Sequence, residues 1–132
     1  MTTKEIIKKN DDLVRAIFKL KFQPRCVICG KRGDWYHPVF NRYGITVGHY
    51  IKRDCKSLRW DFKNLAPQCS TCNSIHNDNE EPYKAYMCYT YGYEILEYYR
   101  SKKRLLLNKS DFLDIYELLQ TELKGLQNSN KL

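Results

Sequence analysis

Long apolar runs are missing from this sequence. No stretch approaches the roughly 20 consecutive apolar residues that a bilayer-spanning helix needs, and the mean hydropathy is -0.66, so no transmembrane helix and no membrane partner is expected. The start, Met1-Thr2-Thr3-Lys4-Glu5, lacks the apolar core of a secretory signal peptide. The chain is therefore expected to stay in a reducing cytoplasm. Internal repeats and low-complexity segments are absent too, which removes solenoids and disordered arrays from consideration. Acidic residues are scarce in one half only. Residues 1–60 hold 14 basic and 5 acidic groups, whereas residues 61–132 hold 9 and 10. The formal charge of +8 thus belongs to the first half and favours a polyanionic partner.

What the chain does have is one domain's worth of length, with 132 residues read as a single domain, 1–132. Apolar positions from Ile6 to Phe18 recur at helical spacing, so residues 3–22 are expected to form an N-terminal helix capped by Thr3 and ended before Pro24. Between residues 25 and 80 turn residues break up short β-prone stretches. Trp35-Tyr36 and Ile45-Thr46-Val47 suggest a short β-hairpin whose second strand ends at Gly48-His49-Tyr50. Residues 82–126 read as C-terminal helices, with Pro82 in a first turn, Gly92 as punctuation and Asn108 or Ser110 capping the last helix. The tail, residues 127–132, is expected to fray. The fold class is α+β.

Six cysteines in a reducing compartment are better read as metal ligands or buried thiols than as disulfides. Cys26-Val27-Ile28-Cys29 and Cys69-Ser70-Thr71-Cys72 are two CxxC turns. Each can direct two thiolates at a single ion, and four thiolates close a tetrahedral shell. A structural Zn²⁺ held by Cys26, Cys29, Cys69 and Cys72 is therefore expected, leaving no open position for chemistry. Cys55 and Cys88 are expected to be free thiols.

Within this frame lie Gly48-His49-Tyr50, Leu58-Arg59-Trp60 with Asn64, Gln68-Cys69-Ser70-Thr71-Cys72-Asn73, and Asn79 with Pro82-Tyr83. Together these motifs resemble the zinc-knuckle branch of the HNH, or ββα-metal, endonucleases, and most closely the phage NinG (Rap) recombination-protein family. The likeness covers roughly residues 10–126. It implies a zinc-stapled ββα-metal centre flanked by helices and a metal-dependent endonuclease cutting branched DNA such as D-loops and Holliday junctions. If the chain is phage-encoded, the compartment is the cytoplasm of the bacterial host.

Hydrolysing a phosphodiester takes a base for water and a cation for the developing charge. His49 suits the first task because imidazole titrates near neutral pH. The resemblance implies that Asn64 orients it through the amide carbonyl and that Asn73 ligates a catalytic Mg²⁺ or Mn²⁺. His76, Asn77 and Asn79 follow closely, and Asn77, one helical turn from Asn73, is the candidate to complete the shell. Asn64 and Asn73 would equally suit helix caps. Gly48 stands where many HNH enzymes carry an acidic or imidazole ligand, and Asp34, Asp54 and Asp61 are either solvated or additional ligands.

Lys52, Arg53, Lys56, Arg59 and Lys63 form a cationic segment after His49, expected to contact DNA phosphates in a salt-dependent way. Lys31, Arg32 and Arg42 extend it, and Trp60 is expected to pack on the zinc centre. Tyrosines are concentrated between residues 83 and 99 and suit core or partner packing more than stacking on unpaired bases. Phe112, Ile115, Leu119 and Leu123 suit a core face or the seam of a homodimer, which a two-fold junction would match. Rival readings are a zinc-dependent module that binds branched DNA without cutting it, a nicking or homing HNH endonuclease, and a zinc-stabilised protein-interaction adaptor.

Overall fold

Helix α1 (Thr3–Lys21) begins where Thr2, in extended backbone, accepts the Glu5 N–H on its hydroxyl at 3.1 Å. The cap is thus one residue earlier than expected, and it satisfies an amide that the helix cannot. Ile6, Asn10, Val14 and then Ile17 and Phe18 line the buried face at steps of three and four. The structure is a computed structural model in which residues 1–130 are described, and the chain divides into two compact units.

The first unit joins Met1–Phe22 to the chain from Leu106 onward. Its second helix, α6 (Lys109–Asn130), starts with a reciprocal cap, the Asn108 side chain accepting the Asp111 N–H at 3.0 Å while the Asp111 carboxylate accepts the Asn108 N–H at 2.8 Å. Asn10 donates to the Phe112 carbonyl at 3.2 Å and Lys21 pairs with Glu122 at 3.1 Å. Equal steps along both helices mean that α1 and α6 lie side by side and parallel, with Phe112 and Leu119 buried. Helix α6 continues through residues expected to fray, up to Asn130; the rest of that expectation, residues 131 and 132, lies outside the described residues.

The second unit is Gln23–Leu105. It contains β1 (Thr46–His49), helix α2 (Lys56–Arg59), a 3-10 turn at Phe62–Asn64, β2 (Leu65–Gln68), α3 (Ser70–His76), α4 (Glu81–Tyr91) and α5 (Glu94–Lys103). The two strands pair antiparallel, Thr46 opposite Gln68 and His49 opposite Leu65. This corrects the expected hairpin. Trp35 meets Ile45 only through an isolated parallel bridge, and the true partner of β1 is a short segment containing Pro67. A proline gives no ladder N–H and hides a strand from pattern reading; here its carbonyl accepts the Val27 N–H at 3.0 Å. The fold is α+β with one small antiparallel sheet.

Helices α4 and α5 cover the sheet. Tyr83, Met87, Ile95 and Tyr99 pack with Tyr50, Leu58 and Ala66 in one cluster. Gly92, at φ 86°, turns the chain between the helices in backbone that side chains rarely adopt. Among the described residues no helix is long and apolar enough to cross a membrane.

Candidate functional site

The four cysteines of the two turns come together, their sulfurs within 4.8 Å of one another. Backbone geometry builds each half. In the first turn the Gly30 N–H returns to the Cys26 carbonyl at 2.9 Å, with Gly30 at φ 79°. In the second, Cys69 caps α3 through its own sulfur, which accepts the Cys72 N–H at 3.4 Å. Sulfurs of Cys29 and Cys69 are 3.7 Å apart, close to the edge of about 3.8 Å that four thiolates at about 2.3 Å from a central ion would define.

Without a cation, ionising Cys69 or Cys72 in this packing is costly. Burial, with the neighbouring thiols adding to it, pushes the Cys72 thiol well up, and burial raises Cys69 as well. For Cys26 burial also acts upward, yet N–H groups of Cys29, Cys69 and Ile28 outweigh it and bring the thiol to about 7. The donor set fits a structural zinc. Trp35, with Ile28, packs against this cluster, the role expected of Trp60.

His49 closes β1 half-buried, and its Nε2 lies 2.9 Å from the Arg59 carbonyl oxygen. That contact corrects the expected role of Asn64. The Asn64 side chain, fully buried, accepts the Ile51 N–H at 2.8 Å and donates to the carbonyls of Ile51 and Leu58, each at 3.0 Å. Its backbone carbonyl accepts the Tyr50 N–H at 2.9 Å. Asn64 therefore clasps Ile51 and Leu58, the two ends of the segment that leads into Arg59, whose carbonyl meets the imidazole.

Asn73 sits in the middle of α3 and Asn77 at its C-terminal end, both exposed. Because Cys69 is the cap, Asn73 is not one. Helix α3 is tied to the residue after His49 by His76, whose Nε2 lies 2.7 Å from the Tyr50 carbonyl, with its ring between Tyr50 and Tyr83. Asp61 is committed elsewhere, to the Lys63 N–H, the Tyr98 hydroxyl and, at 3.7 Å, Lys102. The cysteine quartet is the one group of three or more His, Cys, Asp or Glu donors among the described residues. No second cluster of such donors is therefore present among those residues.

Gln68 was not among the residues expected to matter. A Cβ built on Gly48 would run into Gln68 Oε1 and lie 2.6 Å from Cδ. The glutamine side chain occupies the space that a ligand at position 48 would need. It reaches Gly48 diagonally across the ladder, since the residue opposite Gly48 is Ala66. Both polar atoms of this fully buried amide, and Nδ1 of His76, lack a protein partner. Gln68 and His76 also border a small cavity of about 50 Å³, together with Ile28, Ile75, Pro82 and Tyr83. Tyr83 also donates to the Gly48 carbonyl at 2.8 Å. The signal for Gln68 in the sequence was its place directly before the second cysteine turn.

Of the cationic segment, Lys52, Arg53 and Lys63 are exposed and Lys56 and Arg59 half-buried. Arg59 donates to the Arg53 carbonyl at 3.2 Å and lies 5.9 Å from the Trp60 ring; Lys63 is 5.0 Å from the Tyr98 ring. Thus the loop that bears the cations is the same loop whose carbonyl holds His49. Set against protein-family models, curated proteins and solved structures, the chain matches none.

Proposed function

We propose that this protein is a metal-dependent endonuclease that hydrolyses phosphodiesters in branched DNA such as D-loops and Holliday junctions. The observation that carries this reading is the 2.9 Å contact between His49 Nε2 and the Arg59 carbonyl, which fixes an imidazole within a cationic loop. Nε2–H donating to that carbonyl puts the ring's basic lone pair on Nδ1, the atom that would take a proton from the attacking water. The order strand, strand, helix around four zinc-binding thiols, with His49 ending the first strand, agrees with the HNH resemblance and with a structural zinc. A bound Mg²⁺ or Mn²⁺ would supply Lewis acidity at the phosphate. Asn73 and Asn77 are the residues that would hold it, with phosphate oxygens and water completing the shell as is usual for Mg²⁺.

His49→Ala is expected to lower Mg²⁺- or Mn²⁺-dependent cleavage of a four-way junction by about 10² to 10⁴-fold, while junction affinity stays within about twofold. Unchanged cleavage would refute the assignment of the base. A second reading, a branched-DNA-binding module without turnover, is favoured by Gln68 filling the space beside Gly48. Tight junction binding with no metal-dependent product would select it.

A further inference from the structure

A short loop rooted in the cysteine cluster holds its apolar side chains out in water. Val39 is 72% exposed, Phe40 87% and Tyr43 78%. Three neighbouring apolar side chains at such exposure are costly in water and signal a contact surface when the backbone holds them there. Here it does. His37 and Asn41 exchange backbone hydrogen bonds at 3.0 and 3.1 Å, and His37 Nδ1 accepts the N–H groups of both Val39 and Phe40 at 3.1 Å. The Asn41 amide donates to the carbonyls of Asp34 and Trp35 at 3.2 and 3.0 Å. At the root, a Cβ on Gly44 would come within 2.8 Å of the Asp34 carbonyl, and Ile45 and Trp35 pack on Cys26 and Cys69.

We propose that residues 36–43 form a rigid aromatic finger that stacks Phe40 and Tyr43 on unpaired bases at a DNA branch. This rests on the DNA reading above and names how the branch would be recognised. Charge selects the occupant. Lys31, Arg32 and Arg42 are exposed on the same stretch, and Asp34 is the single acid between Arg25 and Tyr50. A surface that is both aromatic and cationic matches a polyanion with open π-faces, which unpaired bases offer and a fully stacked duplex does not. Among the tyrosines of residues 83–99, Tyr83 and Tyr99 are core residues. The exposed Tyr89 and Tyr93 lie in a stretch that carries Glu94 and Glu97 and no lysine or arginine between Lys84 and Arg100, so they lack the cations that a polyanion needs.

The test uses the full zinc-loaded chain and forked DNA with 2-aminopurine in the unpaired bases next to the branch. Phe40→Ala and Tyr43→Ala are each expected to weaken fork binding about tenfold, the effect of removing one base–aromatic stack, and to abolish the fluorescence change that wild type produces. Matched-duplex affinity should change less than about twofold, and Phe40→Trp should restore the fork preference. Zinc content and thermal midpoint, read on each variant, report folding, which these exposed side chains do not support. Fork affinity and fluorescence equal to wild type in both alanine variants would overturn the finger, as would equal losses on fork and duplex. A wild type that binds forks through Phe40 and Tyr43 yet cuts none would sink the endonuclease and leave the finger standing. Variants that bind and cut like wild type would do the reverse.

Discussion

In the α1 and α6 pair the residues most completely sealed from water are Ile6, Ile17 and Phe18, with Asn10 the lone fully buried polar group among the described residues there. In the unit of β1, β2 and α3 they include Asn64, Gln68 and Cys26 as well as Leu58. One region is held by apolar surface removed from water, a force without direction that tolerates exchange of similar side chains. The other has an apolar cluster of its own beneath α4 and α5, but around the cysteines and His49 it is held by directed contacts, thiolates around one point and an asparagine amide with three backbone partners. Directed contacts position a histidine to within a hydrogen bond, and they fail all at once when a partner is removed.

Four measurements bear on this contrast. Metal removal should have the largest effect. A structural zinc is worth about 10 to 16 kcal/mol, as much as a whole domain's stability, so chelation or Cys69→Ser should abolish hydrogen-exchange protection in β1, β2 and α3 while α1 and α6 keep theirs. Acid should do the same, because protons compete with the metal for thiolates. Loss spread evenly over both regions would contradict the division. Next, Ile17→Ala should cost about 3 kcal/mol through apolar surface no longer buried and the cavity left behind. Its effect should be confined to α1 and α6, with zinc content unchanged by elemental analysis.

Asn64→Ala should cost about 2 kcal/mol, since the Ile51 N–H and the Leu58 carbonyl lose their partner in a buried place. Faster exchange at residues 50–58 with zinc retained is the expected signature, and junction cleavage should fall with it. The smallest effect concerns charge. Replacing Lys52 and Arg53 by alanine should make the log–log salt dependence of DNA binding shallower by about 0.9 for each phosphate no longer neutralised. The same change at Lys8 and Lys9 of α1 should leave the slope alone. Equal shifts would mean that the cationic loop has no special part in binding.

The directed region was also the more legible in sequence where spacing dictates geometry. A CxxC turn brings two sulfurs to one point whatever surrounds it, so all four cysteines were recoverable. His49 was placed at a strand end by the residues around it. Contacts that join distant segments were not. Nothing local in Asn64 reveals that its amide clasps Ile51 and Leu58, nor in Arg59 that its carbonyl meets His49, because both follow from loop conformation. Strand β2 was hidden by Pro67, and the exposed finger by apolar residues whose chemistry ordinarily places them in the interior. In α1 and α6 periodicity located the buried faces, but it could not say that each was the other's partner.

The overlap between Gln68 and any side chain at position 48 ties the histories of the two residues together. An aspartate or histidine in place of Gly48 would have to displace the buried Gln68 side chain, whose Cδ and Cγ lie 2.6 and 2.9 Å from the new Cβ. Trimming Gln68 first would open the space at the expense of the side chain that fills it. The order of substitutions therefore matters. A double-mutant cycle should show Gly48→Asp far better tolerated after Gln68→Ala than before it, so the route to a different metal shell passes through its neighbour on the other strand.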